Sequence, residues 1–230
     1  MQLSARMEGI IGLCPVSGCI ADIGCDHGQV SAELIRRGRA QRVIAGDISA
    51  PSLAKARRLA ARLHLEERID CRLGSGLAVL RAGEADGAIL AGMGAPLIIS
   101  LLMEQRALAE ELSFLVLAPN IYPERLRAFL TKNGWLIARE DMVAEEGKFY
   151  PLLLARRGSC APYSRRELLA GRWEGEFPPA LLLYLRFWED RCQKIVETQR
   201  RGGAEDAPTL QRACDFAALR REFEAREKQA

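Results

Sequence analysis

Two aspartates near the start of this 230-residue chain bracket a glycine in the string Ala21-Asp22-Ile23-Gly24-Cys25-Asp26-His27-Gly28. A short apolar run, Cys19-Ile20-Ala21, precedes the string, and an apolar-periodic segment from Val30 to Ile35 follows it. Strand, glycine turn and helix form the unit by which an α/β domain holds a nucleotide-like cofactor, because the turn presents backbone at a helix N-terminus. Gly24 and Gly28 permit close approach and a sharp turn. Asp22, at the strand end, can orient the loop or accept from an amino group of a ligand. Asp26 stands where such loops usually carry a small residue, so a carboxylate faces the cofactor. His27 can orient Asp26, contact substrate or simply pack.

Further candidates follow the next strands. Asp47 closes the run Val43-Ile44-Ala45-Gly46, at the spacing of about 20 residues expected of a ribose-binding carboxylate. Its competing role is to cap the helix that follows. Gly74-Ser75-Gly76 makes a flexible turn lining the crevice where an adenine would lie, while Asp70 faces either the crevice or the strand edge. Gly92 and Gly94 around Met93 let the backbone hug a ligand at the switch point of the sheet. Asn120 either hydrogen-bonds a substrate base or caps a helix. The two histidines, His27 and His64, form no cluster with cysteines or carboxylates, so no metal is expected.

These residues require an alternating scaffold. Strands are expected at Cys19–Asp22, Arg42–Asp47, Ile69–Leu73, Asp86–Ala91 and Phe114–Leu117. Helices are expected at Val30–Arg37, Ser52–Leu63, Leu77–Arg81 and Leu97–Glu110, preceded by an amphipathic helix over Leu3–Leu13 capped by Ser4 and ended by Pro15. Short, nearly all-apolar strands suit a parallel sheet covered on both faces. A helix from Tyr122 to Lys132 stops at Asn133-Gly134. Strands Trp135–Arg139 and Phe149–Ala155, joined through Glu145-Glu146-Gly147-Lys148, pair as a hairpin. Five parallel strands closed by an antiparallel hairpin make a Rossmann-like seven-stranded sheet of class I methyltransferase type, over residues 1–158. Residues 159–230 form a C-terminal helical hairpin, coiled-coil-like. One helix starts at Pro178-Pro179 with a seam of Leu181, Leu185, Trp188, Cys192 and Ile195. A loop with Gly202-Gly203 and Pro208 leads to a second helix with Leu210, Ala213, Phe216, Leu219 and Phe223 on one side.

Composition narrows the class. Apolar residues make up 49% and net charge is only +3, so no polyanion-binding tail exists. The excess of Arg over Lys suits bidentate phosphate binding. Seven cysteines without a CxxC pair argue for a reduced, cytoplasmic chain lacking disulfides and zinc. No segment reaches the roughly 18 apolar residues of a membrane span.

Taken together, the segments resemble the bacterial tRNA (adenine(22)-N(1))-methyltransferase family. The match rests on Leu3-Ser4 with Arg6, the Ala21–Gly28 string, Arg72-Leu73-Gly74-Ser75-Gly76-Leu77, Ala91-Gly92-Met93-Gly94, Pro119-Asn120, Leu126-Arg127 through Asn133-Gly134-Trp135, and Glu145-Glu146-Gly147-Lys148-Phe149-Tyr150. The resemblance implies S-adenosyl-L-methionine as cofactor and tRNA as substrate. It places Gly24, Asp26, Asp47, Gly76 and Met93 near cofactor or target, with Asp26 as the catalytic carboxylate and His27 as its neighbour. Adenine N1 carries its own lone pair, so a carboxylate that accepts from the N6 amino group would orient the base and favour its developing positive charge. The base would be flipped out and stacked, with Tyr122 and Tyr150 as candidates. Arg156-Arg157 and Arg165-Arg166 would track phosphates. A monomer is expected in preference to a dimer. The chain departs from the family pattern at Ala95, where Gly is expected, at Ala118, where Gln is expected, and at Gln29, where an aromatic is expected. The competing functions are a class I methyltransferase with another target and a non-catalytic cofactor- or partner-binding module.

Overall fold

The computed structural model describes residues 3–202 and 206–229. The Ser4 hydroxyl accepts from the Met7 N–H at 3.3 Å and so starts α1 (Ala5–Leu13), which ends before Pro15. The chain then alternates through β1 (Ser17–Ile23), α2 (Gln29–Arg36), β2 (Ala40–Asp47), α3 (Ala50–Arg62), β3 (Ile69–Leu73), a 3₁₀ turn at Gly76–Val79, β4 (Gly87–Met93), α4 (Ala95–Glu104), α5 (Arg106–Glu111), β5 (Phe114–Pro119), α6 (Pro123–Lys132), β6 (Trp135–Glu145) and β7 (Lys148–Arg157). The seven strands form one sheet in the order β3-β2-β1-β4-β5-β7-β6. The first five are parallel; β7 inserts antiparallel between β5 and β6. Order reverses between β1 and β4, which opens a crevice at the carboxyl ends of both strands.

Two apolar cores cover the two faces of this sheet. One contains Ile10, Ile20, Leu34 and Leu53; the other contains Ile23, Leu90, Ile98 and Leu126. The helix expected over Leu97–Glu110 breaks at Gln105, whose ψ of 45° leaves the helical region. The helix expected at Leu77–Arg81 is only a 3₁₀ turn. The closing hairpin is longer than expected because its tip has another layer to pack on. Met142 and Phe149 join a third core built by α7 (Arg165–Ala170), α8 (Pro179–Arg201) and α9 (Ala207–Glu227). Its Glu146-Gly147 turn has positive φ at both residues, as a two-residue hairpin requires.

Helices α8 and α9 run antiparallel, with Arg186 donating to Glu224 and Arg220 to Glu189. Leu181, Leu185 and Cys192 are buried on the expected seam, but Ile195 is 42% exposed and Val196 is buried in its place. A straight helix of 3.6 residues per turn drifts off a strict heptad over several turns. Pro208 lies inside the first turn of α9, which Asp206 caps, rather than in the connecting loop. Gly203 lies outside the described residues. A buried ion pair between α6 and β6 holds the guanidinium that fastens the third core to the sheet. Arg127 of α6 and Glu140 of β6 are 2.7 Å apart with side chains 1% and 3% exposed. Arg127 also donates to the Leu168 carbonyl at 2.9 Å, at the end of α7. No described helix is long and apolar enough to cross a membrane.

Candidate active site

The turn after β1 is shaped by its neighbours at the crevice. Gly24 and Cys25 donate to the Gly46 carbonyl of β2, at 2.8 and 3.1 Å. Gly24 sits at φ +76°, and a Cβ there would press on Met93 Cε at 3.2 Å. Asp26 follows at φ +47°, a strained conformation for a side-chain-bearing residue. Asp47 holds it there: one carboxylate oxygen accepts the Asp26 N–H at 3.0 Å and the other accepts the Ser49 N–H at 2.8 Å. Helix α3 is capped by Ser49, not by Asp47. Each Asp47 oxygen keeps a lone pair for a hydroxyl donor.

The two loop carboxylates differ sharply. Asp22 is buried, accepts the Ser31 hydroxyl at 2.6 Å and lines a cavity of about 300 Å³. Burial pushes its pKa up to about 6, against the pull of the Ser31 hydrogen bonds. Asp26 lies at the mouth of the same cavity with its side chain 69% exposed. The Ser52 hydroxyl donates to it at 3.4 Å. His27 Nε2 is 3.5 Å from Asp26 but only 2.9 Å from Lys55 Nζ. An ammonium can only donate, so Nε2 is the acceptor of that contact, and His27 does not hydrogen-bond Asp26 through it. Cys25 lines the cavity too, but burial holds it as a thiol by pushing its pKa far up.

Gly92, at φ +77°, forms the opposite wall at a register shift in β4. Asn120 fixes that turn: its amide donates to the Gly92 carbonyl at 2.7 Å and its backbone N–H to the Met93 carbonyl at 2.9 Å. One of its two amide N–H groups is therefore engaged within the protein. Asn120 caps no helix, since α6 begins after Tyr122. Gly28, Gly74 and Gly76 pack against Ala56, Val79 and Leu101 respectively, and Gly28 and Gly76 also sit at φ +71° and +54°. Ser75 alone of its turn is exposed. Asp70 is turned to the strand edge by Arg72 at 2.7 Å.

Arg156 and Arg165 are not brought to this site. Arg156 pairs in register with Phe114 at the start of β5, the edge of the sheet opposite the crevice. Arg165 is bound to Asp215 at 2.6 Å and ties α7 to α9. The sequence left three other features unseen. Arg6 reaches the cavity from α1 and lies over the Tyr150 ring at 4.8 Å, covering that candidate stacking face. Ile48 and Leu73, at the adjacent ends of β2 and β3, are 76% and 61% exposed, an apolar pair at the carboxyl edge. Lys55, Arg58 and Arg62 line a shallow groove on α3 beside His27, and among the described residues no carboxylate pairs with them. Periodicity showed α3 as a helix but not which of its cations would be left unpaired. The described residues hold no group of three or more His, Cys, Asp or Glu arranged for a metal.

Residues 3–153 match the family model described as a methyltransferase domain. The tRNA (adenine(22)-N(1))-methyltransferase of Bacillus subtilis is 31% identical over 196 residues, covering 84% of this chain and 82% of that protein. The chain belongs to the tRNA (adenine(22)-N(1))-methyltransferase family. The crystal structure of the B. subtilis M1A22 tRNA methyltransferase TrmK superposes with a TM-score of 0.75 at 27% identity, covering 98% of both chains. The M. capricolum TrmK, solved with the cofactor product S-adenosyl-homocysteine, shares the fold with a TM-score of 0.78 at 20% identity, covering 98% of this chain and 97% of that one. This fold similarity extends through the helical hairpin, whereas the methyltransferase model stops within β7. In this family member the crevice between β1 and β4 is thus the place where cofactor-binding geometry, a buried carboxylate and an exposed carboxylate converge.

Proposed function

We propose that this protein transfers a methyl group from S-adenosyl-L-methionine to N1 of adenine 22 in tRNA. The observation that carries the proposal is the cavity that brings together Asp22, Gly24, Asp26 and Gly92, in a chain of this family. The donor set fits the cofactor. Asp22 offers a buried carboxylate to a cationic amine, Asp47 offers free lone pairs to ribose hydroxyls, and the exposed Ile48 and Leu73 offer apolar surface to an adenine ring. The cofactor supplies an electrophilic methyl on a sulfonium.

The protein's part is positional and electrostatic. No residue needs to remove a proton from N1, which attacks with its own lone pair. Asp26, exposed at the cavity mouth, accepts from the N6 amino group, sets the base in line and balances the charge that methylation creates on the ring. Asp47 keeps the Asp26 backbone in its strained turn, and Lys55 holds His27 beside it. Lys55, Arg58 and Arg62 take phosphates of the tRNA next to the flipped adenine. The functional division falls at residues 158/159, with the sheet domain carrying the chemistry. The enzyme acts as a monomer in the cytoplasm, where its thiols stay reduced.

Incubation of unmodified bacterial tRNA with the protein and S-adenosyl-L-methionine, followed by nuclease digestion and mass mapping, tests this. The expected product is 1-methyladenosine in the fragment containing position 22. Methylation confined to another position or another base would refute it.

A further inference from the structure

A second cleft, of about 400 Å³, opens between the sheet edge and the helical hairpin. It has no lining residue in common with the Asp22–Asp26 cavity. Asn120 lies on its rim, and Asn120 is the residue hydrogen-bonded to Gly92 on the cofactor side. The cleft therefore abuts the active site beyond β5. Phe149, Tyr184 and Trp188 line it, with Trp188 stacked on Phe216 at 6.1 Å and 15° between ring planes. At its lip Ile121 and Tyr122 are 53% and 46% exposed. Tyr122 is held at φ +56°, strain of the kind that gathers at binding sites.

Its polar groups are equally specific. Arg212 lies 5.5 Å from the Trp188 ring and is ion-paired with Glu124 Oε1 at 2.9 Å. The other oxygen, Glu124 Oε2, is buried without a hydrogen-bond donor. A buried carboxylate oxygen lacking a donor is costly, and the terminal torsion of Glu is soft enough to turn it toward a ligand. Arg191 is exposed, 5.8 Å from the Trp188 ring, and among the described residues no carboxylate pairs with it. Aromatic walls call for a flat ring, Glu124 for an N–H at the edge of that ring, and Arg191 for an anion beside it. Those are the parts of a nucleotide.

We infer that this cleft holds an unstacked nucleobase of the tRNA other than the adenine that is methylated. The inference rests on the tRNA reading above. The target N1 must meet the methyl donor in the cavity lined by Asp26 and Gly92, so the base in the cleft is a neighbour, extruded alongside the target and stacked on aromatic rings. A second extruded base would lock the tRNA in register and link the helical hairpin to methyl transfer.

Two measurements on the full-length protein test the inference. Unmodified tRNA transcript bound in the presence of S-adenosyl-homocysteine is cross-linked with ultraviolet light and the adducts are mapped by mass spectrometry. Glu124→Gln and Arg191→Ala are assayed for tRNA KM, kcat and cofactor affinity. The expected adduct joins a nucleotide other than position 22 to the peptides bearing Tyr122 or Trp188. The expected KM for tRNA rises about tenfold in each variant, with kcat and cofactor affinity unchanged. An adduct of position 22 itself on those peptides, or wild-type KM in both variants, would overturn the inference while leaving the tRNA reading standing. Absence of methyl transfer to tRNA by the wild-type protein would overturn both.

Discussion

The Asp22–Gly28 turn and the Arg127–Glu140 joint are each built around charged side chains, and they treat charge in opposite ways. At the joint, guanidinium and carboxylate are both buried and face each other, with the Leu168 carbonyl satisfying Arg127 further. At the turn, Asp26 is exposed on strained backbone with His27 Nε2 3.5 Å away and no Lys or Arg on it, and Asp22 is buried without a cation. A paired buried charge fixes how two layers meet. An unpaired carboxylate beside a cavity is left to meet a ligand. The difference teaches which of the chain's charges organise it and which are free to act.

Breaking the joint has the largest expected effect. Arg127→Ala leaves Glu140 buried without a cation and lowers stability by about 3–5 kcal/mol, read by denaturant unfolding. The double replacement Arg127→Met with Glu140→Leu recovers most of that loss, because no unpaired charge is left behind. If Arg127→Ala unfolded like the wild type, the joint would not be holding the layers together.

Next comes the turn. Asp26→Gly removes the carboxylate and relaxes φ +47°, so kcat falls about 10²–10³-fold while the melting temperature holds or rises. Loss of activity and gain of stability together are the mark of a strained functional residue. Loss of both would make Asp26 structural like Arg127.

Asp22 yields a smaller, pH-dependent effect. Its folded pKa, about 6, lies above the ordinary carboxylate value. The raised value means that its contribution to folding is fully present below about pH 4 and is lost as pH rises through about 6. Cofactor binding runs the other way, since a cationic amine favours the ionised form. Affinity for S-adenosyl-L-methionine, by calorimetry, should weaken about tenfold per pH unit below pH 6. Ser31→Ala should move that break upward by removing the hydrogen bond that opposes burial. A flat profile from pH 5 to 8 would detach Asp22 from the cofactor.

Smallest is the groove on α3. Arg58→Ala and Arg62→Ala should each raise the tRNA KM a few-fold and reduce the salt slope of binding by about 1, whereas Arg156→Ala should leave both unchanged. An equal response from Arg156 would move the tRNA path to the other edge of the sheet.

How much of this was legible in the sequence follows from which interactions are local. The five parallel strands, the closing hairpin and the Asp22–Gly28 turn were legible because strand period, glycine and cap residues act within a few positions. The grip of Asp47 on the Asp26 N–H spans 21 residues, and Arg127 reaches Leu168 across 41. No window of sequence contains either contact. The Asp215 partner of Arg165 was not legible because a pair of arginines reads the same whether or not a carboxylate waits elsewhere in the fold. Arg165 finds Asp215, 50 residues on, while Arg58 and Arg62 find none among the described residues. That Gly28, Gly74 and Gly76 pack against Ala56, Val79 and Leu101 was not legible, because a glycine needed for packing and one needed for a ligand are the same letter.

The central claim is that the exposed carboxylate of Asp26 at the crevice serves methylation of one adenine in tRNA. Two tRNA transcripts, identical except for adenine or guanine at position 22, test it when incubated with the protein and methyl-labelled S-adenosyl-L-methionine. The account predicts label in the adenine transcript and none in the guanine transcript. Equal label in both, or none in the adenine transcript, would contradict it.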